Sequence, residues 1–455
     1  MQDEAIGASA KLAAHVANKR YEHLPVPVVH AFKRALLDHM TCAIAGSAMP
    51  VSRALLSYFH ENDASRVATV IASGTRLSAA NAALVNGANT HGLDFDDGHT
   101  NGSAHPSGAI FPAALALAEQ YQASPRELAL AVVLGYDVMA RIAAAMHPVT
   151  ARRGFHNTPL SGVFGATAAA ASLLKLDAAH TSHALGLAGS FAGGIRQYLD
   201  EGAEVKRIHP GKAARDGLLC AEFARRGITG PSKVLEGRYG FSDTHVGGEL
   251  KWERLLDGLG ERYEISNTYF KPYPCCRHYH AVVDGILELR RQHDIQAQDV
   301  EHMRLGIYAV GVHGHEHKHC DNLLDAQMSA PVEAALAIFE GDIAAHMFLP
   351  ASLERPLVQD LMQRADAYVD EECERIYPGR RSGSVEITLK NGKTLRGRVL
   401  DPKGEGENPM TDEDLERKFK VNCEPVIGAE QCAGLLKTIW QFERVADVQA
   451  LLRWV

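Results

Sequence analysis

The sequence predicts a mainly α protein in which a large all-α domain is joined to a smaller α+β domain. Three observations predict it. Alanine- and glycine-rich stretches with helical spacing of apolar residues fill the chain up to about residue 265. Alternating apolar residues, the mark of half-buried strands, begin only after Lys271. A turn-forming stretch, DPKGEGENPM at residues 401–410, then separates the strands from further helical sequence. A chain of 455 residues also exceeds one compact core of ordinary size, which favours two domains. The expected partition is 1–266 with 404–455 for the all-α domain, and 267–403 for the α+β domain.

The elements follow in order. Val28, Phe32, Ala35, Leu36, Met40 and Ala43 recur at helix spacing, with Gly46 as a stop. Ser78 is placed to cap a helix ending near His91, and Ser107 to cap the next, through Tyr121. Ser124-Pro125-Arg126-Glu127 is a capping box with proline at the first helical position, opening a helix towards Met146. Thr158-Pro159 repeats the start signal, Asp177 caps the helix after it, and Gly211–Arg226 reads as another, ended by Gly227. Beyond Lys271, Val300–Val312 reads as a strand, and Val385, Ile387 and Leu389 alternate into a second. Asn391-Gly392 supplies a type I′ turn into Thr394–Val399. Helical segments near Val332–Phe339 and Leu357–Arg375 lie between the strands, and Thr411 caps the final helices.

Bulk properties exclude several classes. Hydrophobic content of 46% and charged content of 22% describe a globular chain, and a net charge of −8 argues against nucleic acid as the main partner. The 8 cysteines form no CxxC pair, and adjacent Cys275 and Cys276 are poorly placed for a mutual disulfide. Free thiols in a reducing compartment are expected. The opening MQDEAIGASAKLAAHVANKR starts acidic and lacks the apolar core of a signal peptide. No apolar run reads as a bilayer span. The expected location is the cytoplasm, with no membrane partner.

Five clusters carry candidate chemistry. HGLDFDDGHTNGSAH, from His91 to His105, holds three carboxylates and three imidazoles. Asp94, Asp96 and Asp97 would repel one another unless cations or protons offset them. His105 stands just before the Pro106-Ser107 helix entry, where a positive helix end favours a neutral, basic imidazole. Arg152-Arg153-Gly154-Phe155-His156 repeats the design, with His156 at a helix entrance and Arg153 as a carboxylate ligand. Glu204–Lys212 places Lys206, Arg207 and His209 ahead of a helix start, an arrangement that suits an anion and has no Walker pattern, but taken alone the segment reads first as a charged surface turn. In KPYPCCRHYH, Lys271 and Arg277 also suit an anion. Cys275 or Cys276 has the chemistry of a nucleophile beside His278 or His280, but buried inert thiols are the preferred reading. The fifth cluster is His313–His319. On a continued strand its alternating histidines share one face, a spacing that suits zinc. No supporting acid is obvious, so a solvent-facing strand end is the preferred reading and no metal site is assigned.

The motifs DFDD then HPSGAIFPA, FHNTPLSGVFGA, VKRIHPGKAARDGLLCA, KPYPCCRHYH and SAPVEAALAIFEGD run in that order along nearly the whole chain. On these the chain resembles the MmgE/PrpD family, which includes 2-methylcitrate dehydratase, cis-aconitate decarboxylase and iminodisuccinate epimerase. The resemblance implies an all-α domain built from both chain ends, an inserted α+β domain and an active site in the cleft between them. It also implies a homodimer and catalysis without metal or organic cofactor. The positions matching the decarboxylase's active residues are Asp94, His105, His156, Lys206 and Lys271. Two positions depart from it. Gly98 stands where the decarboxylase has threonine, and Cys276 where it has histidine.

The expected substrate is a small di- or tricarboxylic acid. Lys206, Lys271 and Arg277 bind it, with Cys276 and Arg153 also lining the substrate. His105 or His156 moves a proton at a carbon next to a carboxylate, and Asp94 orients His105 or tunes its pKa. Dehydration is the expected outcome, with epimerisation or decarboxylation as alternatives.

Overall fold

The computed structural model describes residues 7–455. The opening acidic residues of the N-terminal segment fall outside the described residues. Five helices form the centre of the helical part: Ala79–His91, Ser107–Tyr121, Pro125–Met146, Asn157–Leu173 and Val205–Arg225. Their glycines explain how closely the axes approach. A Cβ on Gly87 would lie 2.4 Å from the Gly211 Cα, and one on Gly165 would lie 2.7 Å from the Gly135 carbonyl oxygen. Only the missing side chain permits those crossings. Pro125–Met146 does reach the length and apolar character of a membrane span, against the sequence expectation. Its apolar window is 89% buried among the other helices, which makes it a core helix.

The start signals at Ser124, Asp177 and Thr411 operate as expected, each side chain accepting from a backbone N–H three residues on. Two others differ. Ser78 precedes its helix, but its hydroxyl donates to Asp63 Oδ2 (2.6 Å) and caps nothing. Ser107 is the first helical residue, and its N–H donates to Asp97 Oδ1 (3.0 Å), so the aspartate is the cap. The Gly211–Arg226 helix starts earlier, at Val205, and carries Pro210 inside it. Buried bonds made by Lys206 and Arg207 hold that extra turn against the proline's cost.

Two apolar clusters organise the chain. One runs from Ala8 to Phe270 and takes in Met410–Leu452; Phe32 meets Phe442 with ring centroids 5.1 Å apart. The other lies within Cys275–Leu395. It surrounds a four-stranded sheet in the order Ala365–Val369, Val300–Ile307, Gly383–Leu389, Thr394–Val399. The first pair is parallel and the other two are antiparallel.

Sheet details correct three expectations. The strand from Val300 stops at Ile307 and gives way to the short helix Ala309–Val312, so His313–His319 is not a strand face. The segment 357–375 divides into helix Pro356–Gln363, strand Ala365–Val369 and helix Glu371–Ile376. The hairpin turn is not type I′. Gly392 alone takes positive φ (+85°) and Leu389 pairs with Lys393, the longer loop that ends in a left-handed glycine.

Candidate active site

A cavity of about 110 Å³ lies between the two apolar clusters. Asp94, His105, His156 and Lys206 line it from the helical side, and Lys271, Cys276 and Arg277 from the start of the other. Seven of the eight residues read from the sequence as site candidates therefore meet in one place.

Asp94 is the hub. It follows the helix Ala79–His91 with φ +52°, a left-handed turn that aspartate tolerates better than most residues. Lys206 Nζ lies 2.5 Å from its Oδ1 and Lys271 Nζ 3.3 Å from its Oδ2. Lys271 also donates to the Asp94 backbone oxygen (2.7 Å) and to the Cys275 carbonyl (3.3 Å). Burial pushes the Asp94 carboxyl up, but the two ammonium groups outweigh it and hold the group well below its usual range. Burial lowers Lys206, with Asp94 opposing, whereas Asp94 wins over burial at Lys271 and raises it.

The imidazoles are held neutral. His105 Nδ1 lies 2.7 Å from the Asp97 backbone oxygen. A carbonyl only accepts, so Nδ1 carries the proton and Nε2 keeps its lone pair. Burial first of all pushes His105 down to about 3. The orienting group is thus the Asp97 carbonyl, not the Asp94 carboxylate, and burial rather than the helix end keeps the ring uncharged. His156 sits at the N-terminus of Asn157–Leu173, and burial takes it well below its usual value. Its Nδ1 lies 2.9 Å from His209 Nδ1. Behind them His91 pairs with Asp96 (2.9 Å), and Tyr136 donates to Asp97 Oδ2 (2.7 Å). Burial, then Asp38, raises Asp97 to about 8. Asp94, Asp96 and Asp97 are all buried, so the carboxylates of the acidic loop are withdrawn from solvent. Nor is the Lys206–His209 segment a surface turn, since Lys206, Arg207 and His209 are all buried.

Two candidates behave differently from expectation. Arg277 lines the cavity, but its charge is taken by Glu405 (2.9 Å) and its plane lies over the Tyr269 ring, 4.6 Å from the centroid. Arg153 is exposed, follows the short helix Val149–Arg152, and stays outside the cavity. Arg196, which donates its N–H to the Gly154 carbonyl (2.8 Å), stands on the lining instead.

Cys276 is buried and burial raises its thiol. Its Sγ and ring nitrogens of His278 and His315 fall within 4.8 Å of one another. That trio contains no carboxylate, and Arg381, Arg196 and Lys271 all act against positive charge at His278. The surroundings favour an anion, so the fit to a cation is poor. His317 and His319 lie apart, each beside its own aspartate, Asp325 and Asp321.

The MmgE/PrpD N-terminal domain model matches residues 10–253 and the C-terminal domain model matches 273–442. The chain belongs to the MmgE/PrpD family. Among its relatives is a cis-aconitate decarboxylase-like protein, oryM, of Aspergillus oryzae, 27% identical over 98% of this chain and 96% of its own. The cis-aconitate decarboxylases of Homo sapiens and Aspergillus terreus are 27% and 26% identical, over 94% and 98% of this chain and 90% and 95% of theirs. Within this MmgE/PrpD chain the glycine after DFDD has a local cause. Gly98 pairs with Tyr269, and a Cβ on it would lie 2.2 Å from the Tyr269 hydroxyl oxygen. The tyrosine ring fills the space a side chain at 98 would need.

Sequence reasoning missed Arg196, Tyr198, Tyr269, His278 as a lining residue, and Arg381. Arg381 stands in PGRRSG, between helix Glu371–Ile376 and strand Gly383–Leu389. Nothing in local spacing marks either arginine, because each reaches the cavity from an irregular connection.

Proposed function

We propose that the protein is a cofactor-independent lyase that moves a proton at a carbon next to a carboxylate of a small polycarboxylic acid. One observation carries this reading. Asp94 gathers Lys206 and Lys271 beside His105, a neutral imidazole whose tautomer is set by a backbone carbonyl. The lysines supply charge where an enolate develops, among side chains that are themselves buried. His105 Nε2 takes a proton from carbon. His156 and His209 share one proton between their Nδ1 atoms, so one ring carries its own proton on Nε2 and donates it.

Decarboxylation of a cis-aconitate-like acid is the form favoured by the named relatives. The carboxylate leaves as carbon dioxide, its bonding pair spreads onto the adjoining unsaturated carboxylate, and the donor returns a proton to carbon. Dehydration of a hydroxy acid is the second reading. It is favoured by Gly98 and Cys276, which replace the threonine and histidine that the decarboxylase resemblance calls for. There the base takes the α proton and the hydroxyl departs as water with the donor's proton.

The test is NMR of cis-aconitate and of hydroxy-tricarboxylates incubated with the protein in deuterated water. Deuterium at carbon with carbon dioxide release supports the first form, and loss of water supports the second. Unchanged spectra for the whole panel, with protein shown to be folded, would reject the lyase reading.

A further inference from the structure

Arg381 is 5% exposed, lines the cavity and has no ion pair among the described residues. Its Nη2 donates to the Thr100 carbonyl (3.3 Å), whereas its Nε is buried with no partner. Glu405, whose charge acts on Arg381, is already engaged by Arg277 (2.9 Å) and by the Thr100 hydroxyl (2.8 Å). A buried guanidinium with no ion pair of its own is costly. The same imbalance holds for the whole lining. Lys206 and Lys271 share Asp94, Arg277 takes Glu405, and Arg196 and Arg381 are left over.

We infer that Arg381 is a carboxylate anchor. It is a specificity-determining residue that binds a carboxylate of the acid other than the one beside the reacting carbon. Its position supports this. Arg381 lies in the connection between Glu371–Ile376 and strand Gly383–Leu389, whereas His105, His156 and Lys206 belong to the helical part. The anchor and the proton-moving groups therefore come from different apolar clusters, and an acid bound by both ties them together. Tyr308 and Tyr377, stacked at 4.1 Å, stand beside the guanidinium and limit the room around it. The fork of Nε and Nη suits a bidentate carboxylate, which a lysine at this place does not reproduce. This inference rests on the proposed function for the identity of the reacting end.

The experiment is calorimetric binding of two unreactive acids, tricarballylate with three carboxylates and butyrate with one. Wild-type protein binds tricarballylate more tightly than butyrate. Arg381→Gln weakens tricarballylate binding roughly 10- to 100-fold and leaves butyrate, which has no second carboxylate to anchor, nearly unchanged, so the two acids converge. Arg381→Lys, which retains the charge and guards against a folding defect in the glutamine variant, falls between. Circular dichroism melts accompany each variant. Equal losses for both acids, or wild-type affinity for tricarballylate in Arg381→Gln, would overturn the anchor. Selective loss without hydrogen exchange on any substrate would leave the anchor standing and reject the proposed chemistry. Exchange with unaltered tricarballylate affinity would do the reverse.

Discussion

His156 Nδ1 and His209 Nδ1 are 2.9 Å apart, so a single proton serves both atoms. Two N–H groups facing each other would repel, and two lone pairs would make no bond. The ring that donates at Nδ1 is a base at Nε2, and the ring that accepts is an acid at Nε2. Burial, then His91 and Lys206, lowers His209 to about 4, so the pair stays uncharged near neutrality.

Removing His209 should therefore uncouple His156 from its tautomer. His209→Gln is expected to lower kcat roughly 10- to 100-fold with little change in KM, while His156→Gln costs about 10²- to 10⁴-fold. Wild-type activity should hold steady above about pH 5 and fall as pH approaches 4 and the pair takes up an extra proton and becomes charged. Steady-state kinetics across that range are the check. A His209→Gln enzyme with the wild-type rate and pH profile would contradict the pairing argument.

Asp94 holds two buried ammonium groups, and its replacement should be felt in stability as well as rate. Its carboxyl is depressed in the fold, so its contribution is present above the unfolded value near 4 and lost as pH falls through the lower folded value. Asp94→Asn strands both lysines at neutral pH and should cost about 3–5 kcal/mol. Urea unfolding at pH 7 measures this. Adding Lys206→Met to Asp94→Asn should recover part of the loss, because one stranded charge is gone. An Asp94→Asn protein as stable as wild type would mean that the lysines are not charged there.

Much of this architecture is legible in the sequence where the physics is local. The Ser124, Asp177 and Thr411 caps are short-range hydrogen bonds, and the glycine-rich helix faces follow from periodicity. The DFDD and KPYPCC segments announce charged chemistry by composition alone. What is not legible depends on partners far along the chain. Val205–Arg225 extends past its proline because Lys206 finds Asp94 and Arg207 finds Gln327, 112 and 120 residues away. The strand Ala365–Val369 is short and makes sense only beside Val300–Ile307. Arg196 and Arg381 stand in irregular connections, and only the fold brings them to the cavity.

Asp97 offers a stability test separate from the cavity, whose lining does not include it. Burial, then Asp38, raises its carboxyl to about 8, far above its unfolded value near 4. The folded state therefore keeps a proton that the unfolded state releases, and stability from this group is lost as pH rises from about 4 to about 8. Asp97→Asn keeps an acceptor for the Ser107 N–H and a polar partner for Tyr136, but it does not titrate. Its melting temperature should exceed that of wild type by a margin that grows through neutral pH and levels off near pH 8. A constant margin, or none, would place Asp97 in its charged form throughout.

Gly98 gives the last prediction. A Cβ at this position would meet the Tyr269 hydroxyl oxygen at 2.2 Å and its ring carbon Cζ at 2.3 Å. Tyr269 is itself buried and covered by the Arg277 guanidinium, so it has little room to swing away. Gly98→Thr should thus lower stability by about 1–3 kcal/mol through overpacking. Tyr269→Ala alone should cost about 3–5 kcal/mol through the hole it leaves. Combining them fills part of the hole with the threonine and removes the clash, so the double variant should be clearly more stable than the sum of the single losses requires. Thermal and urea unfolding of the four proteins close the cycle. Strictly additive losses would show that the glycine and the tyrosine do not compete for the same space.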